Sequence, residues 1–358
     1  MTYNETIDWM FAQLPMYQKI GASAHTKDLS NTILFCDYLD NPEHKFKSIH
    51  IGGTNGKGST SSMLASVLQE AGYKVGLYTS PHLKDYRERI KINGQMISEE
   101  FVTSFISENK IFLEKHLLSF FEMTVGLAFD YFAKEKVDVA LIEVGLGGRL
   151  DSTNIINPLM SVITNIGLDH VAILGNSLSQ IASEKAGIIK KNTPIVIGQY
   201  SGDTKNVFIE KAEKMNAPIW FAQDVFTDFS YESDLKGIYQ RHNIKTTLIA
   251  LNVLKGHFDI SEFNIKNGLE RVVSNTGLLG RWQILNKSPF IVADTAHNKD
   301  GLQEVIPQLI NKEHDTLFMV FGVVNDKDLE EIFPLLPKDA TYFVSKPNVP
   351  RGLDEHVL

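Results

Sequence analysis

The sequence predicts an α/β protein in two parts. Residues 1–278 read as a P-loop-containing, doubly wound, mostly parallel sheet domain, and residues 279–358 as a smaller Rossmann-like α/β domain. Three observations predict this. Short apolar runs alternate with longer amphipathic ones from residue 46 to about 255, the pattern of parallel strands joined by crossover helices. A glycine-rich turn, Gly52-Gly-Thr-Asn-Gly-Lys-Gly58, follows the first strand and precedes a helix. A second strand–helix pattern starts at Phe290, and 358 residues are long for one core.

In chain order, residues 1–45 read as helices joined by polar turns, ending at Asn41-Pro42. Residues 46–51 form a strand. Residues 60–71 form a helix, because Met63, Leu64, Val67 and Leu68 recur at helical spacing. A short strand is expected at 74–78, and amphipathic helices at 99–118 and 121–134. The run 137–144 is apolar on both faces, as a strand covered by helices on both sides must be. The runs 159–163 and 194–197 share that character. Residues 224–237 are polar and turn-rich, 243–255 helical, and 274–281 a linker. Strands are then expected near 290–293, 316–321 and 341–344, in a second part that reads as truncated. No internal repeat or low-complexity segment is seen.

A hydrophobic content of 43% with 22% charged residues describes an ordinary soluble globular protein. No run of about 18 apolar residues occurs, so no membrane span is expected. The first ten residues lack a basic segment, so no secretory signal is expected. Cys36 is the sole cysteine, which rules out an internal disulfide, fits a reducing cytoplasm and reads as a small buried hydrophobe. A net charge of −8 argues against a nucleic-acid surface. An acidic protein that holds phosphate must build positive potential locally, and Lys57, Arg149, Lys185 and Arg281 are candidates for that.

The stretch His50–Thr60 carries the strongest chemical signal. Glycines let backbone N–H groups turn inward, the helix start adds partial positive charge, and Lys57 would reach the outer phosphates of ATP or GTP. The pattern departs from a standard P-loop: Ile51 and Gly58 stand where glycine and a hydroxyl residue are usual, and the first hydroxyl is Ser59. A glycine-rich turn without a ligand is the alternative. Ligands of doubly wound sheets sit beyond the carboxyl ends of the strands, where this loop, Glu143 and residues 164–170 fall. Glu143 is placed to bind Mg²⁺, a cation that prefers hard oxygen ligands, or else to cap a turn. His170 is a candidate ligand or a packed histidine. Lys185 is a candidate site lysine or a helix lysine paired with Glu184. Asp294 and His297 follow the second part's first strand and either reach across a cleft or belong to a polar loop.

These segments, in this order, resemble the folylpolyglutamate synthase/dihydrofolate synthase family of Mur-type ligases. Gly53-Thr-Asn-Gly-Lys-Gly-Ser59 is similar to its P-loop, and Thr79-Ser-Pro-His-Leu83 with Arg87-Glu-Arg-Ile90 and Ile92-Asn-Gly94 to its second loop. Leu141-Ile-Glu-Val-Gly-Leu-Gly-Gly-Arg-Leu-Asp-Ser-Thr-Asn154 matches a further signature. Glu184-Lys-Ala-Gly187, Gln240 with Asn243, Gly280-Arg281, 294–298 and 322–328 continue it, so coverage runs from about residue 5 to about 352.

The resemblance implies roles. Thr54, Asn55, Gly56, Lys57, Gly58 and Ser59 would cradle ATP, Asn243 would meet adenine, and Arg281, Asp294 and His297 would meet phosphate and ribose. Ser80 and Glu143 would hold one Mg²⁺, and His170 a second together with Lys185 as its carbamate. Phe121, Arg149 and Asp151 would hold a pterin. An aromatic plane stacks such a ring, and a carboxylate bonds its amino-pyrimidine edge. Lys57, Glu143, His170 and Lys185 are then the catalytic set. The implied activity is ATP-dependent addition of L-glutamate to dihydropteroate or to a folate, by a cytoplasmic monomer with small-molecule partners. Two departures stand out: Lys299 where the family has proline, and Tyr239 where it has histidine before glutamine. The family's second domain is longer, so amino-acid contacts from that end are not assigned. The rivals are a Mur ligase of cell-wall precursors, a P-loop GTPase, which would need a guanine-reading Asn-Lys-x-Asp that the sequence lacks, and an inactive binding protein.

Overall fold

The computed structural model describes residues 1–13, 28–225, 231–325, 329–349 and 351–358. Parts of two expected features, the N-terminal helices around 14–27 and the signature at 326–328, lie outside the described residues. Within the first 278 residues the strands are β1 (Lys47–Gly52), β2 (Val75–Tyr78), β3 (Ile90–Ile92), β4 (Gln95–Met96), β5 (Val139–Glu143), β6 (Met160–Ile163), β7 (Ile195–Ile197) and β8 (Ile219–Phe221). They form one sheet in the order β4-β3-β2-β5-β1-β6-β7-β8. All neighbours pair in parallel except β2–β3 and β3–β4, which form an antiparallel edge.

The register decides where chemistry collects. Ile51 pairs with Glu143 and Gly52 with Ile163, so β1, β5 and β6 end level with one another. The glycine turn, Glu143 and Thr164 therefore leave the sheet at one place.

Helices cover both faces, which is why β5, β6 and β7 are buried along their whole length and β1 along all but Lys47, with buried Ser48, His50 and Ser161 among the apolar residues. One face is covered by α1 (Tyr3–Gln13), α2 (Ser30–Tyr38), α4 (Glu99–Lys115) and α5 (Phe120–Lys134), around Phe35, Tyr78, Phe129 and Phe132. The other is covered by α3 (Lys57–Glu70), α9 (Gln240–Leu254), α10 (Glu262–Glu270) and α11 (Val272–Thr276), around Met63, Leu64, Leu68 and Leu251. Helix α6 (Val171–Leu174) precedes α7 (Leu178–Lys185), which packs with α8 (Gly202–Met215) beside β7. Helix α3 carries buried Ser59, Thr60, Ser61, Ser62 and Ser66, and these small side chains permit close approach. A Cβ on Gly268 of α10 would lie 2.5 Å from the Val67 Cα.

The later part is built from two small sheets. Strands β9 (Gln283–Lys287) and β10 (Phe290–Ala293) pair antiparallel, and β11 (Phe318–Phe321) pairs in parallel with β12 (Thr341–Val344). Helices α12 (Lys299–Ile310) and α13 (Leu329–Ile332) supply a core of Leu302, Ile306 and Ile332. Among the described residues no helix is long and apolar enough to cross a membrane.

The structure differs from the sequence expectation at the edges. Strands β3, β4, β8 and β9 have two to five residues, too few for a period to register, and β9 is largely exposed. The stretch expected as a linker begins inside α11. The chain then turns at Gly277 and Gly280, both with positive φ of 63° and 68°.

Candidate active site

Two glycines let the turn after β1 fold under its neighbours. Gly53 has φ 141° and Gly56 has φ 84°, a region open mainly to glycine. A Cβ on Gly53 would lie 1.9 Å from Thr164 Oγ1, and one on Gly56 2.2 Å from Asn243 Oδ1. The turn is fastened from the β6 end. Asn165 accepts from the Thr54 N–H through its carbonyl (3.0 Å) and from the Asn55 N–H through Oδ1 (2.7 Å). Thr164 Oγ1 donates to the Asn55 carbonyl at 2.6 Å.

Helix α3 starts at Lys57. The Lys57 ammonium donates to the Gly53 and Thr54 carbonyls at 3.1 and 3.0 Å. Buried Lys185, the last residue of α7, donates to the same Gly53 carbonyl at 2.9 Å. Burial, helped by the Lys57 charge and opposed by Asp169 and Asp151, lowers the Lys185 pKa from 10.5 to about 7. Glu143 is only 4% exposed, and burial raises its carboxyl to about 7 against the pull of Lys57, Arg281, the Ser80 N–H and Arg89. A Cβ on Gly58 would lie 3.5 Å from Glu143 Oε2 and 3.4 Å from Arg281 Nη2. Carboxylate and guanidinium therefore meet over the first turn of α3.

Helix α9 closes one side. Asn243 Nδ2 donates to Gln240 Oε1 (2.8 Å), and Gln240 Nε2 to Ser59 Oγ (3.1 Å). The later part of the chain closes the other. Arg281 Nη1 donates to the Gly280 carbonyl and to Thr295 Oγ1. Asp294 accepts from the Trp282 N–H and the Tyr239 hydroxyl at Oδ2, both 2.6 Å, and from the Ala296 N–H at Oδ1. Asn55 and Asn298 exchange a reciprocal amide pair, 3.1 and 3.0 Å, and Asn298 Nδ2 also donates to Asp169 Oδ2 at 3.1 Å. That carboxylate lies 3.5 Å from His297 Nε2 and 3.9 Å from His170 Nε2.

These groups enclose a cleft of about 600 Å³, room for a nucleotide triphosphate. Every residue expected at ATP lines it, from Thr54 to Ser59 and at Asn243, Arg281, Asp294 and His297, together with Ser80 and Glu143. The residues fit a Mg²⁺ at Glu143: a buried carboxylate stands against the phosphate turn with cations around it, and a divalent ion would relieve its desolvation. His170 and Lys185 do not line this cleft, and among the described residues no cluster of three His, Cys, Asp or Glu side chains forms around them; Asp169, 3.9 Å from His170 Nε2 and in Coulombic reach of Lys185, is the group near both.

Three expected pterin residues stand outside that cleft. Phe121 and Asp151 come together around Gly145, where a Cβ would lie 2.5 Å from Phe121 Cζ and 3.3 Å from Asp151 Oδ2. The Asp151 carboxylate points into its own loop, accepting from Leu146 N, Thr153 N and Thr153 Oγ1. Its acceptor sites are directed at its own backbone, a loop-organising role that residue type alone did not reveal. Arg149 is half-exposed and forked onto Glu184 (2.9 Å), so its guanidinium is turned away from the cleft. Asn165 lies in the 164–170 stretch expected at the strand ends, but its part in fastening the turn through Oδ1 is visible only in the fold.

Residues 51–288 match the Mur ligase middle domain, and 280–358 the glutamate ligase domain of Mur ligases. The chain is 33% identical to the dihydrofolate synthase/folylpolyglutamate synthase of Bacillus subtilis (strain 168), over 93% of this chain and 82% of that one. The chain belongs to the folylpolyglutamate synthase/dihydrofolate synthase family of Mur ligases. This Mur ligase is also 31% identical to a probable bifunctional folylpolyglutamate synthase/dihydropteroate synthase of Haloferax volcanii, matching all of this chain but 44% of that longer protein. A solved FPGS–AMPPCP–folate complex superposes on it with a TM-score of 0.87 at 29% identity, over 98% of this chain and 90% of that one.

Proposed function

We propose that this Mur ligase joins L-glutamate to dihydropteroate, to the γ-carboxyl of reduced folates, or to both, with cleavage of ATP to ADP and phosphate. The observation that carries the reading is the convergence of Lys57, Arg281 and Glu143 on the first turn of α3, in a cleft built from both parts of the chain. We place the boundary between those parts at 278/279, beside Gly277 and Gly280.

In this reading a carboxylate oxygen of the acceptor attacks the γ-phosphorus, the bond from that phosphorus to the β-phosphate oxygen breaks, and ADP leaves. The amine of glutamate then adds to the acyl carbon, loses a proton, and phosphate departs. The chain's contribution is placement and charge. The Gly53 and Thr54 carbonyls now held by Lys57 mark where phosphate oxygens would compete for its ammonium. Arg281 brings a second cation from across the cleft. Asn243 and Gln240 fix the wall over Gly56, where adenine would lie. Mg²⁺ held at Ser80 and Glu143, and at His170 with a carbamate on Lys185, would neutralise phosphate and carboxylate oxygens. The depressed pKa of Lys185 supports the carbamate, because only the neutral amine adds CO₂. Phe121, half-buried against Gly145, is the face on which a pterin would stack.

The test is ADP release with L-glutamate and, separately, dihydropteroate, tetrahydrofolate and a nucleotide-linked muramyl acceptor. Release only with the muramyl compound would sink the reading. Full glutamate-dependent release by Glu143→Ala would remove Glu143 from the metal site.

A further inference from the structure

Arg89 is 3% exposed, yet no carboxylate pairs with it among the described residues. Its Nε donates to His82 Nδ1 at 2.7 Å, and its guanidinium lies 5.3 Å from the Phe120 ring centroid. The nearby acids are directed elsewhere. Glu88 accepts from the Leu83, Lys84 and Asp85 N–H groups, and Asp151 from its own loop. The Arg89 Nη1 and Nη2 groups have no acceptor among the described residues. A buried, unmatched guanidinium is costly to keep unless an anion visits it.

A second polar group waits at the same place. The Tyr78 hydroxyl is fully buried and has no hydrogen-bond partner among the described residues. Tyr78 pairs with Ile90 across the β2–β3 ladder, and the Thr79 N–H donates to the Arg89 carbonyl at 3.0 Å, so Tyr78 and Arg89 stand on neighbouring rungs, and the Arg89 charge acts on the Tyr78 hydroxyl. The Tyr78 ring is 6.3 Å from that of Phe121. Glu143 is within Coulombic reach of both Tyr78 and Arg89. Phe121, Tyr78, Arg89 and Glu143 thus lead from the aromatic face to the phosphate turn.

We propose that Arg89, backed by the Tyr78 hydroxyl, is the seat of the acceptor's reacting carboxylate between the heterocycle and the γ-phosphate. The inference rests on the ligase reading and adds a residue to it. A planar fork can hold two oxygens of the carboxylate and orient the third-party attack of one on phosphorus. The experiment compares dissociation constants of dihydropteroate and its neutral carboxamide for the wild-type chain, Arg89→Gln and Arg89→Lys. The wild type should bind the acid at least about tenfold more tightly than the amide, the scale of one charged hydrogen-bonded contact. Arg89→Gln should bring that ratio below about threefold with amide affinity unchanged, and Arg89→Lys should give an intermediate ratio. Equal wild-type affinities, or a ratio undiminished in the variants that fold, overturn the proposal alone. The same comparison is run with tetrahydrofolate and its γ-carboxamide, and failure of the wild type to bind any of the four compounds overturns the pterin reading and this proposal with it. Because the wild-type comparison and the lysine variant each decide the matter, a glutamine variant that fails to fold does not shelter it.

Discussion

Lys185→Met tests the electrostatics of the phosphate turn. Lys185 is buried and bonded to one carbonyl, and its pKa falls from 10.5 to about 7. The unfolded chain therefore holds more protons than the folded one between those values, so this group makes stability rise with pH there. Below pH 7 both states are protonated and the full cost, on the order of 5 kcal/mol, weighs on the fold; above pH 10.5 it is gone. From pH 7 to pH 9 the lysine alone should add about 2 kcal/mol. The assay is urea unfolding of the wild type and Lys185→Met at both pH values, in buffer stripped of CO₂ so that no carbamate forms. Subtracting the two pH differences cancels every other titrating group and the lost bond to Gly53. Parallel pH dependence of the two proteins within about 0.5 kcal/mol would refute the reasoning. Bicarbonate added to the wild type should flatten its slope, because a carbamate carries no ammonium to neutralise.

Other changes probe the frame of the site. Gly56→Ala forces alanine into a left-handed conformation and against Asn243 Oδ1, which should cost about 2–3 kcal/mol in denaturation and weaken binding of an ATP analogue. Tyr239→Phe removes one of three donors to Asp294 and should cost about 1 kcal/mol, with faster amide hydrogen exchange over 280–296 as its signature. Asn298→Asp keeps the oxygen that caps α12 but turns an acceptor toward Asp169 and Asn55. It should raise the KM for ATP while α12 keeps its exchange protection, and Asn298→Ala should lose both.

The central sheet was legible because β5 and β7, buried on both faces, are nearly all apolar, and because the glycine turn marks the end of the more polar β1. The run 139–143 could hardly be anything else once a phosphate turn preceded it. The edge was not legible. Strands β3 and β4 together hold five residues and are fixed by pairing with β2 rather than by a pattern of their own. The site divides the same way. Lys57, Glu143 and Arg281 were readable because each follows a strand end or a glycine turn. The direction of a side chain was not readable: Asp151 turns into its own loop and Arg149 out to Glu184, and nothing in either residue's type or spacing distinguishes those outcomes from a ligand contact. Asn298 and Asn55 stand 243 residues apart, so only the folded arrangement reveals their mutual bond.

That bond bears on how the cleft works. Lys57 and Lys185 both rest on the Gly53 carbonyl, so the chain's own backbone oxygens occupy cations that phosphate would otherwise claim. In the proposed reading a nucleotide entering the cleft would exchange those acceptors for charged ones, which would favour binding without creating a new positive group. Arg281 and Asn298 come from the far side, and each reaches the turn through a single side chain, while the backbone beside Arg281 is held by the Thr295 N–H on the Gly280 carbonyl and the Trp282 N–H on Asp294, and Asn298 caps α12. A displacement of the later part would therefore move Arg281 away from Gly58 and break the Asn55–Asn298 pair together. The phosphate turn and the placement of the second part are coupled through two contacts, and loss of one should weaken the other by more than either bond's own contribution.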